Sequence, residues 1–246
     1  MKIICCLIAL FLLNYMIHFY RRKSIRDNVK TIVKILNDTS ISYWLDFGTL
    51  LGIVRENDII WGDLDCDICV RNDKQLEYNL IGLSARLNSY GYRFVHLGSM
   101  CRIYFSSIFP DNLLFKYIIG YCDIYINNID LENQIYIGAT HKQMGTSNIP
   151  MGYIGTPIAV LWNKTPVFIP EKYHETLTWR YGEDYMVPKR GFKGRDAVLR
   201  KRISKCLKKF YSSSQGYVFV VTFFLWTPHK RCGERNHKVA LNTVHV

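Results

Sequence analysis

The chain has 246 residues, enough for one substantial core, and its apolar and aromatic residues are spread too evenly for a half-disordered protein. Its formal charge of +12 is concentrated in a basic segment from Lys189 to Lys209 whose single acid is Asp196. A near-neutral domain beside such a segment suits an anionic substrate or a membrane surface, and without any nucleic-acid-binding fold signature no nucleic acid is expected as partner.

In chain order, the apolar run Ile3 to Tyr20 is followed at once by Arg21, Arg22 and Lys23. Its length sits at the lower limit for spanning a bilayer, and it lacks the small-x-small cleavage site of a signal peptide. Residues 1–22 are therefore expected to form a single-pass membrane anchor. The cations after the run, through Arg26, outnumber Lys2 and the amino terminus, which by the positive-inside rule leaves the domain in the cytosol. Two sequons, Asn37-Asp38-Thr39 and Asn163-Lys164-Thr165, point to a lumenal domain, but a chain rich in Asn shows one or two by chance.

Residues 23–40 read as a stalk or first helix, with Ile25, Val29, Ile32, Val33 and Leu36 on one face. The domain proper is expected over residues 41–190. Ile41 to Phe47 alternates as a strand, Gly48-Thr49 turns the chain, and Leu50 to Val54 starts a helix. Asp63 to Val70 alternates again, with Leu64, Cys66, Ile68 and Val70 on one face and Asp63, Asp65 and Asp67 on the other. Asp73 to Tyr90 is an amphipathic helix with a Leu76, Leu80, Leu83, Leu87 stripe, stopped at Gly91. Strands follow at Tyr92 to Leu97, Cys101 to Ser106, Tyr121 to Asn127 and Gln134 to Thr140, then a helix from Glu171 to Tyr181. The fold class is α+β, a mixed sheet flanked by helices behind one N-terminal transmembrane helix. Residues 191–246 stay unassigned: Arg195 to Tyr211 reads as a basic helix, on solvent or on lipid headgroups, and Gly216 to Trp226 as a buried strand too short to span.

Three aspartates at i, i+2, i+4 on a strand whose other face is apolar repel one another unless a cation sits among them. Side chains two apart are about 6.6 to 7 Å apart at Cα, close enough for Asp65 and Asp67 to converge on one Mg²⁺, or on Mn²⁺ in its place, with Asp63 assisting at the strand entrance. Such an ion usually holds phosphates, and a glycine turn before a helix offers backbone N–H groups to the same phosphates. Asp123, in the middle of the strand Tyr121 to Asn127, is placed to complete the metal shell or to act as general base. Cys66 and Cys69 form a CxxC, but residues three apart on a strand face opposite sides, so both are expected as small core residues rather than a metal or redox pair. An EF-hand is excluded, because counting from Asp63 the sixth position is Ile68 and the twelfth Lys74.

The segment Leu45-Asp46-Phe47-Gly48-Thr49-Leu50-Leu51-Gly52-Ile53-Val54-Arg55, with Asp58-Ile59-Ile60-Trp61 and the alternating aspartates after it, closely resembles the LicD and fukutin family. Cys122-Asp123-Ile124-Tyr125 is similar to that family's second acidic strand, and Tyr181-Gly182-Glu183-Asp184-Tyr185-Met186-Val187-Pro188 to its closing signature. The resemblance implies a nucleotidyltransferase-type fold. It implies transfer of phosphoribitol, phosphocholine or a similar unit from a CDP-linked donor to a glycan or glycoprotein hydroxyl, and a Golgi or ER enzyme with a lumenal domain. Carried over, Gly48 and Thr49 match the phosphate-side turn, Asp65 and Asp67 the metal pair and Asp123 the third acid. Arg55 matches the arginine after the turn, with phosphate contact and loop bracing both open. Where the family has Pro-Trp-Asp, this chain has Ile60-Trp61-Gly62-Asp63, an added glycine that shifts the aspartates by one place. Two rivals remain: a metal-dependent glycosyltransferase using a nucleotide sugar, and a catalytically inactive membrane-tethered binding module.

Overall fold

The computed structural model describes residues 2–106, 117–138 and 148–188, apart from the side chains of residues 2–4, 6, 7 and 10. The basic helix expected at Arg195 to Tyr211 and the apolar stretch Gly216 to Trp226 lie outside the described residues, as does the end of the strand expected to reach Thr140. The chain divides into two compact units, Phe19–Met186 with Asn236–Val246, and Met1–His18 with Val187–Arg235. Of the second unit, the described part is the start of the first helix together with Val187 and Pro188.

Helix α1 (Lys2–Asn37) leads to β1 (Tyr43–Leu45), α2 (Phe47–Glu56), β2 (Asp65–Arg71) and α3 (Leu76–Ser89). The strands β3 (Arg93–His96), β4 (Met100–Tyr104), β5 (Tyr121–Asp130), β6 (Ile135–Ile137) and β7 (Ile149–Pro150) follow. Then come the one-turn α4 (Met151–Ile154), the hairpin β8 (Ile158–Trp162) and β9 (Thr165–Ile169), and α5 (Tyr173–Tyr181). The main sheet runs β1-β2-β5-β4-β3, with β6 and β7 continuing from β5. Strands β2 and β5 are parallel and the other pairs antiparallel, so the sheet is mixed, as the alternation of elements predicts.

The period-2 alternation of the central strands divides the sheet into two chemically different faces. On one, Ile68, Val70, Cys122, Ile124, Cys101 and Ile103 join the core residues of α1 and α3. The five α1 residues expected on one face, Ile25, Val29, Ile32, Val33 and Leu36, are all fully buried, so this part of the helix is core rather than stalk. The other face carries the aspartates and a smaller cluster built from Trp44, Phe47, Cys69, Met100, Tyr125 and Tyr136. Cys66 and Cys69 fall in different clusters, and both are free thiols.

The transmembrane expectation needs correction. Residues expected to form an anchor are continuous with the core helix α1. Among the described residues no helix is long and apolar enough to cross a membrane. The flanking cations are not a free basic flank either. Arg22 pairs with Glu56 (3.2 Å) and Asp58 (3.3 Å), and Arg26 with Asp58 (3.1 Å). Counting them toward orientation therefore overstates the charge left to face a membrane surface.

Arg21 is 1% exposed. Its guanidinium donates to three backbone carbonyls, Asp63 O (2.7 Å), Gly62 O (3.0 Å) and Tyr117 O (2.6 Å), and lies over the Tyr117 ring. It fastens α1 to the loop that enters β2. Leaving buried carbonyls without a donor costs about 1–3 kcal/mol each. Arg21→Met is expected to lower unfolding stability in urea by at least about 2 kcal/mol, whereas Lys23→Met, on an exposed i,i+4 pair with Asp27, should change it by less than about 0.5 kcal/mol.

Candidate active site

Strand β1 ends at Leu45, and Asp46 caps the N-terminus of α2 with its carboxylate accepting the Phe47 N–H (2.7 Å). Phe47 has a φ of 47°, an uncommon conformation for a side chain of this size, and it is held there by the Tyr125 ring at 5.1 Å and the Arg180 guanidinium at 4.2 Å. This bend turns the start of α2 toward β2. The Gly48 N–H donates to Asp67 Oδ2 (3.2 Å), and the Asp67 N–H donates to Thr49 Oγ1 (2.8 Å). Thr49 is 2% exposed, so its hydroxyl works as a latch between helix and strand and faces inward.

The strand β2 starts at Asp65, two residues later than the alternation predicts. Gly62, at a φ of 100°, allows a turn in which the Asp63 N–H donates to Ile60 O (3.1 Å), and Asp63 thus precedes the strand instead of opening it. The added glycine consequently brings Asp63 back over the site. A Cβ placed on Gly48 would lie 3.1 Å from Asp63 Oδ2 and 3.5 Å from Asp67 Oδ2, so these two carboxylates converge on the space that the glycine leaves open. Asp65 lies half-buried on the same face of β2 as Asp67. Asp65 and Asp67 are expected as the metal pair with Asp63 assisting at the strand entrance, and the structure sets Asp63 and Asp67 together beside Gly48.

Parallel pairing sets Asp67 beside Asp123, and β4 sets Arg102 beside Asp123 on its other flank. Asp123 is fully buried, and both its oxygens are taken by Arg102, Nε to Oδ1 at 2.6 Å and Nη2 to Oδ2 at 2.7 Å. The residue expected to complete a metal shell or act as base is thus committed to an arginine. Asp46 is likewise fully buried and receives Arg180 Nη2 (2.8 Å) and Trp44 Nε1 (3.3 Å). Arg55, in the last turn of α2, bonds Glu56 through Nη2 (3.0 Å), and its charge bears on Asp63.

Sequence reasoning missed the roles of Asp46, Arg102, Arg180 and Tyr181. A lone arginine in the apolar strand Met100–Tyr104 is a signal that a buried acid must face it. Nothing local identifies which one, since the partners are 21 and 134 residues apart for Arg102 and Arg180.

The electrostatics follow from this crowding. Burial, then the neighbouring Asp65 and Glu56 carboxylates, push Asp63 up to about 8, against the pull of Arg21 and Arg55. Burial and the charges of Asp65, Cys66, Asp123 and Asp63 hold Asp67 well above the usual carboxylate range. The phenols of Tyr125 and Tyr181 face these acids, and burial with the acids' charge raises both, so they stay protonated. Among the described residues no group of three or more His, Cys, Asp or Glu side chains is placed to hold a metal ion. A hard cation that keeps several waters and takes one or two carboxylates fits the Asp63 and Asp67 oxygens that converge beside Gly48, because its charge would offset the burial and the neighbouring acids that raise both groups.

A carboxylate whose folded value lies near 8 and whose unfolded value lies near 4 favours folding below about pH 4, and this contribution is lost as pH rises through about 8. Without divalent cations, urea unfolding is expected to show greater stability at pH 5.5 than at pH 8.5. Asp63→Asn should shrink that difference, and millimolar Mg²⁺ should restore stability at pH 8.5 in the wild type more than in the variant.

Residues 40–141 match the family model described as LicD/FKTN/FKRP, nucleotidyltransferase domain. Over 129 residues the chain is 30% identical to an uncharacterized protein of Rickettsia typhi, covering 50% of this chain and 40% of that one. The chain thus spans less than half the length of this curated relative. Among solved structures, the lincosamide antibiotic adenylyltransferase LnuA with lincomycin bound aligns at a TM-score of 0.40 and 16% identity, covering 65% of this chain and 94% of that one. The STING-associated CdnE c-di-GMP synthase of Capnocytophaga granulosa aligns at 0.32 and 14%, covering 83% of this chain and 58% of that one.

Proposed function

We propose, from the LicD/FKTN/FKRP nucleotidyltransferase domain that residues 40–141 carry, that the chain is a Mg²⁺-dependent phosphotransferase. In this reading it moves a phospho-alcohol unit, such as phosphoribitol or phosphocholine, from a CDP-linked donor to a glycan hydroxyl. The observation that carries the reading is the convergence of the Asp63 and Asp67 carboxylates on the open space above Gly48, at the N-terminus of α2. Carboxylates raised by burial and by neighbouring acids are suited to a cation that carries a diphosphate with it, and the start of α2, whose Phe47 and Gly48 N–H groups are held by Asp46 and Asp67, orients those acids.

Asp63, Asp65 and Asp67 are the residues that would hold Mg²⁺. When bound, the ion supplies charge neutralisation for the donor's diphosphate. The chain's own part is positioning: Asp46 and Thr49 fix the helix start against β2, and the bare Gly48 keeps room for a phosphate oxygen. Attack by the acceptor hydroxyl at phosphorus would release CMP. With both oxygens on Arg102, Asp123 is a poor base in this arrangement. A lumenal compartment of the secretory pathway is the setting in which a glycan acceptor would be met.

Incubation of the full chain with Mg²⁺, CDP-ribitol or CDP-choline and glycan acceptors is expected to release CMP, and Asp65→Asn or Asp67→Asn to reduce that release about 10²-fold or more. UDP release from a nucleotide sugar would instead support the glycosyltransferase. Donor binding by calorimetry without turnover, unaltered by Asp65→Asn in the transfer assay, would support an inactive module.

A further inference from the structure

Strands β2, β5 and β4 place Asp67, Asp123 and Arg102 in one transverse row, through the register pairs Asp67–Asp123 and Asp123–Arg102. Neighbouring strands lie about 4.8 Å apart, so Asp123 is within reach of whatever Asp67 binds. Yet its two oxygens are both spent on the Arg102 fork, at 2.6 and 2.7 Å. The two partners differ in access. Asp123 is fully buried, whereas the Arg102 side chain is 14% exposed and stacks over the Tyr121 ring, so the guanidinium forms the outer member of the pair.

A bidentate guanidinium fork fits a phosphate as well as it fits a carboxylate. A phosphate that reaches Arg102, the outer member of the pair, therefore competes with Asp123 for the same donors. Resting on the phosphotransferase reading, we propose that Arg102 is a positioning residue that sequesters Asp123 in the nucleotide-free protein and exchanges it for a donor phosphate oxygen. The resting cation site is then made by Asp63, Asp65 and Asp67. Asp123 joins it only once the diphosphate has engaged Arg102. The exchange leaves no buried charge unpaired: Arg102 passes from carboxylate to phosphate, and Asp123 passes from guanidinium to cation. It also couples donor binding to completion of the cation site, because each step makes the other more favourable.

The test is Mn²⁺ affinity of the full chain, read by electron paramagnetic resonance of free Mn²⁺ with and without saturating CDP. Comparing wild type and variant at the same CDP concentration cancels the Mn²⁺ that CDP itself binds in solution. Asp123→Asn is expected to leave Mn²⁺ affinity unchanged within about 2-fold without CDP and to weaken it about 10-fold or more with CDP. Arg102→Met is expected to tighten Mn²⁺ binding without CDP, because it frees a carboxylate beside Asp67, and the double variant Arg102→Met/Asp123→Asn should return to the wild-type value. Equal weakening by Asp123→Asn in both states, or no effect in either, would overturn the proposal. If Arg102→Met fails to fold, the two Asp123→Asn measurements decide it. Asp65→Asn and Asp67→Asn serve as controls: Mn²⁺ binding that survives both would refute the phosphotransferase site itself, separately from the role of Arg102.

Discussion

The crowding of aspartates around the start of α2, where burial and then neighbouring acids lift Asp63 and Asp67, is the constraint around which this domain is arranged. Asp46, Asp63, Asp65, Asp67 and Asp123 gather where β1 and β2 meet the start of α2, and three of them are buried. Buried like charges are tolerated only when each is paired, hydrogen-bonded or protonated. Asp46 and Asp123, at the flanks, each receive an arginine, Arg180 and Arg102. Asp63 and Asp67, at the centre, converge on a glycine and are held above the usual carboxylate range. The contrast in treatment marks the centre as the place where a cation is expected and the flanks as its frame.

Distant parts of the chain are bound to this frame. Arg180, at the end of α5, reaches Asp46 and covers the Phe47 ring, so the closing Tyr-Gly signature is tied to the turn that carries Gly48. Arg21, from α1, holds the carbonyls of Gly62 and Asp63 and so sets where Asp63 lies. The helix entering the domain and the helix leaving it thus both bear on the acidic centre, although neither contributes one of its carboxylates.

Much of this was legible in the sequence, for reasons that can be located. The 3.6-residue period of Ile25, Val29, Ile32, Val33 and Leu36 and the period-2 alternation from Asp65 to Val70 follow from local geometry, and both hold in the structure. Asp63 was read onto the strand because alternation cannot reveal that Gly62 takes a positive φ and curls the loop. The β8–β9 hairpin was overlooked because its turn, Asn163-Lys164, lacks the usual glycine, although both residues take positive φ. The arginine forks depend on strand order and long-range packing, which no local pattern encodes. Ion pairs of Arg22 and Arg26 with Glu56 and Asp58 are hidden for the same reason, and these cations, read from the sequence as a membrane flank, pair with acids of the domain.

The most direct test of the central claim is a crystal structure of the full chain grown with Mn²⁺, with the ion located by its anomalous signal. The account predicts a peak in the space above Gly48, within about 2.2 Å of carboxylate oxygens from at least two of Asp63, Asp65 and Asp67. A Mn²⁺ ion bound elsewhere, or an empty acidic centre at saturating Mn²⁺, would contradict it.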